Sequence, residues 1–229
     1  MTEKHIIGNN GYLKVLEHMG SDTHVANSAR VSYNEKDKTE QQDNRLINFL
    51  MGHDHLSPLE HCILTLEVQA PFFVVSQWHR HRMQSYSQVS GRYKNLVEQG
   101  FSFYLPDEDY ITIKSETNKQ CRTDEKHSNA SRIRDIMQYS MEQSVNNYDQ
   151  LCRYECPLEL ARMVLPLAQY TKFQTTLNLR YFYHFIKLRR ANDAQKEIRD
   201  YAEAMLLEAK KHFPVTTEAY LKYEDKILL

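Results

Sequence analysis

Apolar and polar positions change period several times along the chain. Residues 11–20 read as helical, and so do 40–52, where Leu46, Phe49 and Leu50 fall at helical spacing. His53-Asp54-His55-Leu56-Ser57-Pro58 interrupts that pattern as a loop. Across 62–70, Leu64, Leu66, Val68 and Ala70 alternate with Thr65, Glu67 and Gln69, the pattern of a half-buried strand. Pro71 can open a helix, since its missing N–H is not needed at the first position. Val74, Val75 and Trp78 then give residues 72–84 an apolar helical side. Residues 101–105 carry a short strand pattern. Residues 106–130 are polar and charged without a clear period, which predicts a surface excursion or a weakly ordered insertion within one domain. From 131 onward the pattern is helical, with helices expected over 131–153, 158–190 with at least one break, and 194–212.

This order predicts an α+β fold, a helix-dominated single domain over 1–229 with a small mixed or antiparallel sheet. Two short strands do not make a stable sheet, so further strands must come from weakly patterned segments or from partner chains. Six glycines and six prolines in 229 residues agree with a helix-rich chain, since average usage would give roughly twice as many.

Charge narrows the partners. Twenty-nine basic residues against 30 acidic ones leave a net charge of −1, so no global field draws the chain to nucleic acid or to an anionic membrane. Anion binding must come from local clusters. Cys62, Cys121, Cys152 and Cys156 form no C-x-x-C pair and no zinc-ribbon spacing. Met1-Thr2-Glu3-Lys4-His5 lacks the apolar run of a signal peptide, and no run of about 18 apolar residues occurs. A cytoplasmic protein with free thiols is expected.

One segment concentrates chemistry. Residues 77–93 contain Gln77, Arg80, His81, Arg82, Gln84, Ser85, Ser87, Ser90, Gly91 and Arg92, with no acidic residue between 68 and 97. If the helix continues, Gln77, Arg80, His81 and Gln84 share one face. Hydroxyls, backbone N–H groups and guanidinium forks suit a phosphate, and Gly91 permits a close backbone approach or a positive φ. A solvated basic helix end would have the same composition.

The order of these residues says more. Arg80-His81-Arg82, seven residues, then Ser90 with Arg92-Tyr93 resembles the signature of the flavin-dependent thymidylate synthases. Ala29-Arg30-Val31-Ser32, the 55–61 run His-Leu-Ser-Pro-Leu-Glu-His, the 161–166 run Ala-Arg-Met-Val-Leu-Pro, Asn178-Leu179-Arg180, Leu188-Arg189, and Ala194-Gln195 with Glu197 resemble further blocks of that family, in the same order. Residues 106–130 match no such block.

The resemblance implies methylation of dUMP to dTMP, with 5,10-methylenetetrahydrofolate as carbon donor and NADPH-reduced FAD as hydride source. It places Gln77, Arg80, Gln88, Val89, Ser90, Gly91, Arg92, Arg162 and Arg189 around dUMP, with Ser90 and Arg92 on phosphate oxygens and Arg189 against the uracil. It places Ser57, Arg80, His81, Arg82, Gln88, Asn178, Leu179, Arg180 and His184 on the flavin, and His55, Glu60 and His61 nearby. No metal and no cysteine nucleophile are implied, so Cys156 before Pro157 is read as structural. Ser90 has no adjacent base and is read as binding substrate rather than attacking it. Many members carry Asn-Glu where this chain has Ser87-Gln88, which removes a carboxylate here, and an asparagine where it has His184. The resemblance further implies a homotetramer with active sites at subunit interfaces, binding dUMP and folate but neither nucleic acid nor membrane.

Two rival readings arise from the residues alone. His53 and His55, then His79 and His81, form H-x-H pairs near Asp54 and Glu60, as in a metal-dependent hydrolase. Fifteen tyrosines with an arginine cluster could instead stack RNA bases.

Overall fold

Alternation along residues 63–71 sets the centre of the molecule. In β3 (Ile63–Pro71), Leu64, Leu66, Val68 and Ala70 are buried while the intervening positions are partly open. The computed structural model describes residues 4–33, 38–98, 100 and 102–227. Around β3 the chain runs β1 (His5–Ile7), β2 (Gly11–Met19), α1 (Asp22–Arg30), α2 (Glu40–Gly52), then α3 (Phe72–Trp78), β4 (Ser85–Gln88), β5 (Thr112–Lys114), β6 (Arg122–Lys126) and α4 (Ala130–Arg153). It ends with α5 (Leu158–Ala161), β7 (Tyr170–Asn178), α6 (Leu179–Arg190), α7 (Lys196–His212) and α8 (Pro214–Tyr223). β1, β2, β3, β7 and β4 form an antiparallel sheet in that order, and β5 pairs with β6 apart from it. The expected helix-dominated α+β fold with a small antiparallel sheet is what forms. No helix among the described residues is long and apolar enough to cross a membrane.

Several local expectations are corrected. Residues 11–19 form β2, not the helix expected over 11–20: Leu13 faces Val68 and Val15 faces Leu66 across the ladder, and this pairing outweighs the helix propensity of Leu, Lys, Glu and Met. The stretch 158–190 is not helix with a break. Its middle is β7, where Thr171, Phe173, Thr175 and Leu177 alternate inward. The pattern expected over 101–105 reduces to one bridge, Phe103 with Gln169, and residue 101 lies outside the described residues. Pro71 closes β3 and caps α3 instead of opening it. Residues 106–130 do run over the surface but hold the β5–β6 hairpin, tied down by Arg122 to Glu197 at 2.7 Å and Lys126 to Asp109 at 2.9 Å.

Local signals fix the helix ends. Ser21 accepts from the His24 N–H at 3.3 Å, and Asn178 accepts from the Tyr181 N–H at 3.1 Å. Asp22 reaches α8, accepting from the Val215 and Thr216 N–H groups at 3.0 and 2.9 Å. Gly20 has φ +93°, and a Cβ there would lie 2.5 Å from Cys62 Sγ, so only glycine joins β2 to α1 here. Trp78, fully buried, packs on Phe173, Phe185 and Tyr201 with centroids 5.3, 4.7 and 6.0 Å away. Each such side chain contributes roughly 1.5–3 kcal/mol by leaving water. The chain therefore leaves Trp78 toward the site from an anchored position.

Candidate active site

The helix that starts at Phe72 does not run on through the arginines. α3 ends at Trp78, and the next residues close tight turns, with Arg80 N–H on the Gln77 carbonyl at 3.3 Å and His81 N–H on the Trp78 carbonyl at 3.0 Å. Tyr86 donates its hydroxyl to the Trp78 and His81 carbonyls at 3.2 and 2.7 Å. Those are acceptors that a continuing helix would have used. The shared helix face expected for Gln77, Arg80, His81 and Gln84 is therefore corrected. Gln84 accepts from Trp78 Nε1 at 3.3 Å and Thr175 Oγ1 at 2.9 Å, which ties it to the core and sheet.

The turn delivers Arg80, His81 and Arg82 to a cavity of about 270 Å³, closed on the other side by Arg180, Tyr181, His184, Leu188 and Arg189 from α6. Arg180 and His184 stand one turn apart, as their spacing predicts. His81 is buried, 8 % exposed. Its Nε2 accepts from Arg189 Nε at 2.8 Å, and Arg189 Nη2 donates to the Gln77 carbonyl at 3.0 Å. Burial, the Arg189 charge and His184 together push His81 down to about 4. The ring is neutral at physiological pH and carries its proton on Nδ1. Burial also lowers Arg189. Gln77 turns its carboxamide away, onto Gln195.

A second cleft of about 710 Å³ lies at the end of β4, lined by Gln88, Val89, Ser90 and Gly91, by Arg162 and Met163, and by β7 through Thr171 and Lys172. Gln88 Nε2 donates to Thr171 Oγ1 at 3.1 Å, and the Val89 N–H bonds the Lys172 carbonyl at 2.9 Å, continuing the β4–β7 pairing. Ser90 Oγ accepts from the Arg92 N–H at 3.3 Å. Gly91 is not left-handed; a Cβ there would touch Leu96 at 3.4 Å and the Arg162 stem at 3.7 Å, so it serves close approach alone. Arg92 is exposed and paired with Glu159 at 2.9 Å.

The residues expected around one nucleotide are thus divided within a single chain. Gln88, Val89, Ser90, Gly91 and Arg162 share the cleft, while Arg80 and Arg189 line the cavity. Of the expected flavin set, Arg80, His81, Arg82, Arg180 and His184 meet in the cavity, and Gln88 lies in the cleft. Asn178 caps α6 just below. Leu179 is buried in the core, its N–H on the Cys62 carbonyl at 2.8 Å. Glu60 pairs with Arg180 at 2.5 Å and steadies it. Ser57, His55 and His61 are exposed around the turn at Ser57–His61 and line neither space.

Lys172, Gln169 and Tyr181 also line these spaces and were missed by the sequence reading. The alternation in β7 was the available signal for Lys172. Among the described residues no cysteine lines either space: Cys156 Sγ bonds the Pro157 carbonyl at 3.8 Å, and burial pushes the Cys62 thiol up to about 11.

Comparison with known proteins gives the family. The profile of the family described as thymidylate synthase complementing protein matches residues 14–215. The chain is 37 % identical over 216 residues to a flavin-dependent thymidylate synthase of Thermosipho africanus, covering 94 % of this chain and 93 % of the relative. It is 33 % identical over 236 residues to that of Borreliella burgdorferi, covering 100 % and 85 %. Among solved structures, the UMP/dUMP methylase PolB from Streptomyces cacaoi, bound with 5-Br dUMP, superposes with a TM-score of 0.84 at 28 % identity over 93 % of this chain and 96 % of that one. With its profile, its near full-length relatives and its fold all in accord, the chain belongs to the thymidylate synthase complementing protein family, that of the flavin-dependent thymidylate synthases.

Proposed function

We propose that this chain methylates dUMP to dTMP as a single-domain cytoplasmic enzyme, with FAD as its flavin, NADPH as reductant and 5,10-methylenetetrahydrofolate as carbon donor. The relatives' names support flavin dependence, and the PolB complexes with brominated dUMP and UMP support a pyrimidine nucleotide. One structural observation carries the reading: the Arg189 guanidinium is fixed from behind by the His81 ring and the Gln77 carbonyl, at the wall of a cavity rich in other guanidinium groups.

The cavity suits FAD by its donor set. Arg80, Arg82 and Arg180 would hold a diphosphate, and His81 and His184, with ring centroids 5.7 Å apart, offer flat faces and ring nitrogens to the isoalloxazine. When bound and reduced by NADPH, the flavin would supply the hydride that completes the methyl group. In the cleft, Ser90, the Gly91 backbone and Arg162 would bind the dUMP phosphate, with Arg92 joining once it leaves Glu159. Arg189 spends Nε on His81 and one Nη2 donor on Gln77, which leaves Nη1 for the uracil edge. A cation there stabilises the N3-deprotonated or enolate-like ring and raises electron density at C5, where the new carbon attaches. A neutral His81 keeps that cation in place, because a protonated ring could not accept from it.

The division of these residues between two spaces supports a homotetramer with shared sites. A volume of about 270 Å³ falls below the roughly 300–1,000 Å³ of ordinary ligand pockets, so one chain encloses only part of a dinucleotide. Met163, Leu167 and Val89, beside the cleft, are 76, 72 and 45 % exposed, apolar side chains that a second subunit would cover.

Tritium release from [5-³H]dUMP in the presence of FAD, NADPH and methylenetetrahydrofolate tests substrate and reaction together, with [5-³H]UMP alongside. The expected result is a yellow protein that releases tritium from the deoxynucleotide. A colourless protein that cannot be reconstituted with FAD, and no release, would overturn the reading.

A further inference from the structure

A third cavity, of about 290 Å³, lies between the β5–β6 hairpin and the first turn of α7. Lys114 and Arg122 enter it from the hairpin, Lys196 and Arg199 from α7, and no carboxylate lines it among the described residues. Two carboxylates of α7, Glu197 and Asp200, pair with groups beside it, and Glu197 Oε2 is buried without a partner. Glu197 takes Arg122 at 2.7 Å and the Tyr104 hydroxyl at 3.2 Å, and Asp200 accepts from the Tyr110 hydroxyl at 3.3 Å. Asp200 also feels Lys196 and Arg199, so four cations stand against two carboxylates.

Polar atoms of three lining residues are left over. Arg122 Nε, Arg199 Nε and Thr112 Oγ1 are buried without a hydrogen-bond partner. Buried polar atoms are nearly always satisfied, and a guanidinium N–H that is not asks for a ligand. The third contribution comes from the backbone. α7 has 17 residues, and its N-cap Gln195 makes no capping bond, because its side chain is engaged with Gln77. The positive end of the helix therefore adds to the cations at the cavity wall.

We infer that this cavity binds a phosphate monoester. The Arg199 guanidinium, the free Nε of Arg122, two ammonium groups and a helix N-terminus suit a dianion better than a single carboxylate. The volume takes a phosphate and a small attached group. Two residues link the site to the Arg189 cavity: Gln195 lines it and bonds Gln77, whose carbonyl holds Arg189. The phosphate group is free, or carried by a small phosphorylated metabolite, or is the 2′-phosphate of the reductant; this last source rests on the function proposed above.

The test is calorimetric titration of the full chain as purified with inorganic phosphate, at constant ionic strength and without nucleotide. Saturable binding is expected, weakened roughly tenfold or more by Lys114→Ala and by Gln120→Glu. Gln120→Glu adds a carboxylate at an exposed lining position and removes no cation, so it should leave the urea midpoint in phosphate-free buffer unchanged. No saturable heat, or binding by both variants as tight as the wild type's, overturns the site. Displacement of phosphate by NADPH but not NADH supports the site with the reductant as source. Displacement by neither supports it with free phosphate, and that outcome stands even if NADPH proves not to be the reductant.

Discussion

Two arginines expected on the same nucleotide are held in opposite ways. Arg189 is half-buried, with its Nε on a neutral imidazole and an Nη2 on a backbone carbonyl, neither of which cancels its charge. Arg92 stands in solvent, 55 % exposed at its side chain, in an ion pair with Glu159 that does cancel it. A cation aimed by neutral partners keeps its field for a substrate and needs no rearrangement when charge develops. A cation in a surface ion pair must be released first, and that pair is worth little in water. On the proposed function, the cavity is preorganised for chemistry and the rim of the cleft is arranged for capture.

Breaking the preorganised side should have the largest effect. Arg189→Lys keeps the charge but cannot serve His81, Gln77 and uracil at once, so kcat should fall by about 10²–10³ with dUMP KM moving less. Steady-state tritium release at saturating dUMP reads this directly. His81→Ala removes the acceptor behind the guanidinium and should cost roughly 10–100-fold in kcat, with His81→Gln restoring part of it through its amide oxygen.

The same histidine gives a pH signature. Its folded value, about 4, lies below the 6.5 of an exposed ring. As pH falls the unfolded chain takes up its proton first, so this share of stability is full above pH 6.5 and lost toward about pH 4. Urea unfolding at either end of that window should show a smaller loss for His81→Gln than for the wild type.

Effects in the cleft should be gentler. Ser90→Ala removes one neutral hydroxyl, so dUMP KM should rise by about 3–10-fold while turnover remains measurable; normal KM with no turnover would instead make Ser90 a nucleophile. Smallest of all, Glu159→Gln should change urea stability by under about 1 kcal/mol and leave dUMP binding equal or slightly tighter, because Arg92 is then free.

Legibility in the sequence followed the range of the interactions. α2 and β3 were readable because their apolar period and their ends lie in the local chain. β2 and β7 were not, because Lys14, Glu17, Lys172 and Gln174 make sense only across a ladder whose partners lie far away in sequence. In the site, the order of residues in the arginine segment announced the family. Two things stayed hidden. The helix end at Trp78 depends on the hydroxyl of Tyr86, and the Arg189–His81 contact joins positions that no periodicity connects.

Sharing of one site between subunits is tested most directly by co-expressing Arg162→Ala, which empties the cleft, with Arg189→Ala, which empties the cavity. Each homo-oligomer alone should show kcat/KM for dUMP near background. Mixed oligomers should recover a substantial fraction of wild-type activity, because some interfaces pair an intact cleft with an intact cavity. Mixed oligomers as inactive as either parent would contradict a site built from two chains.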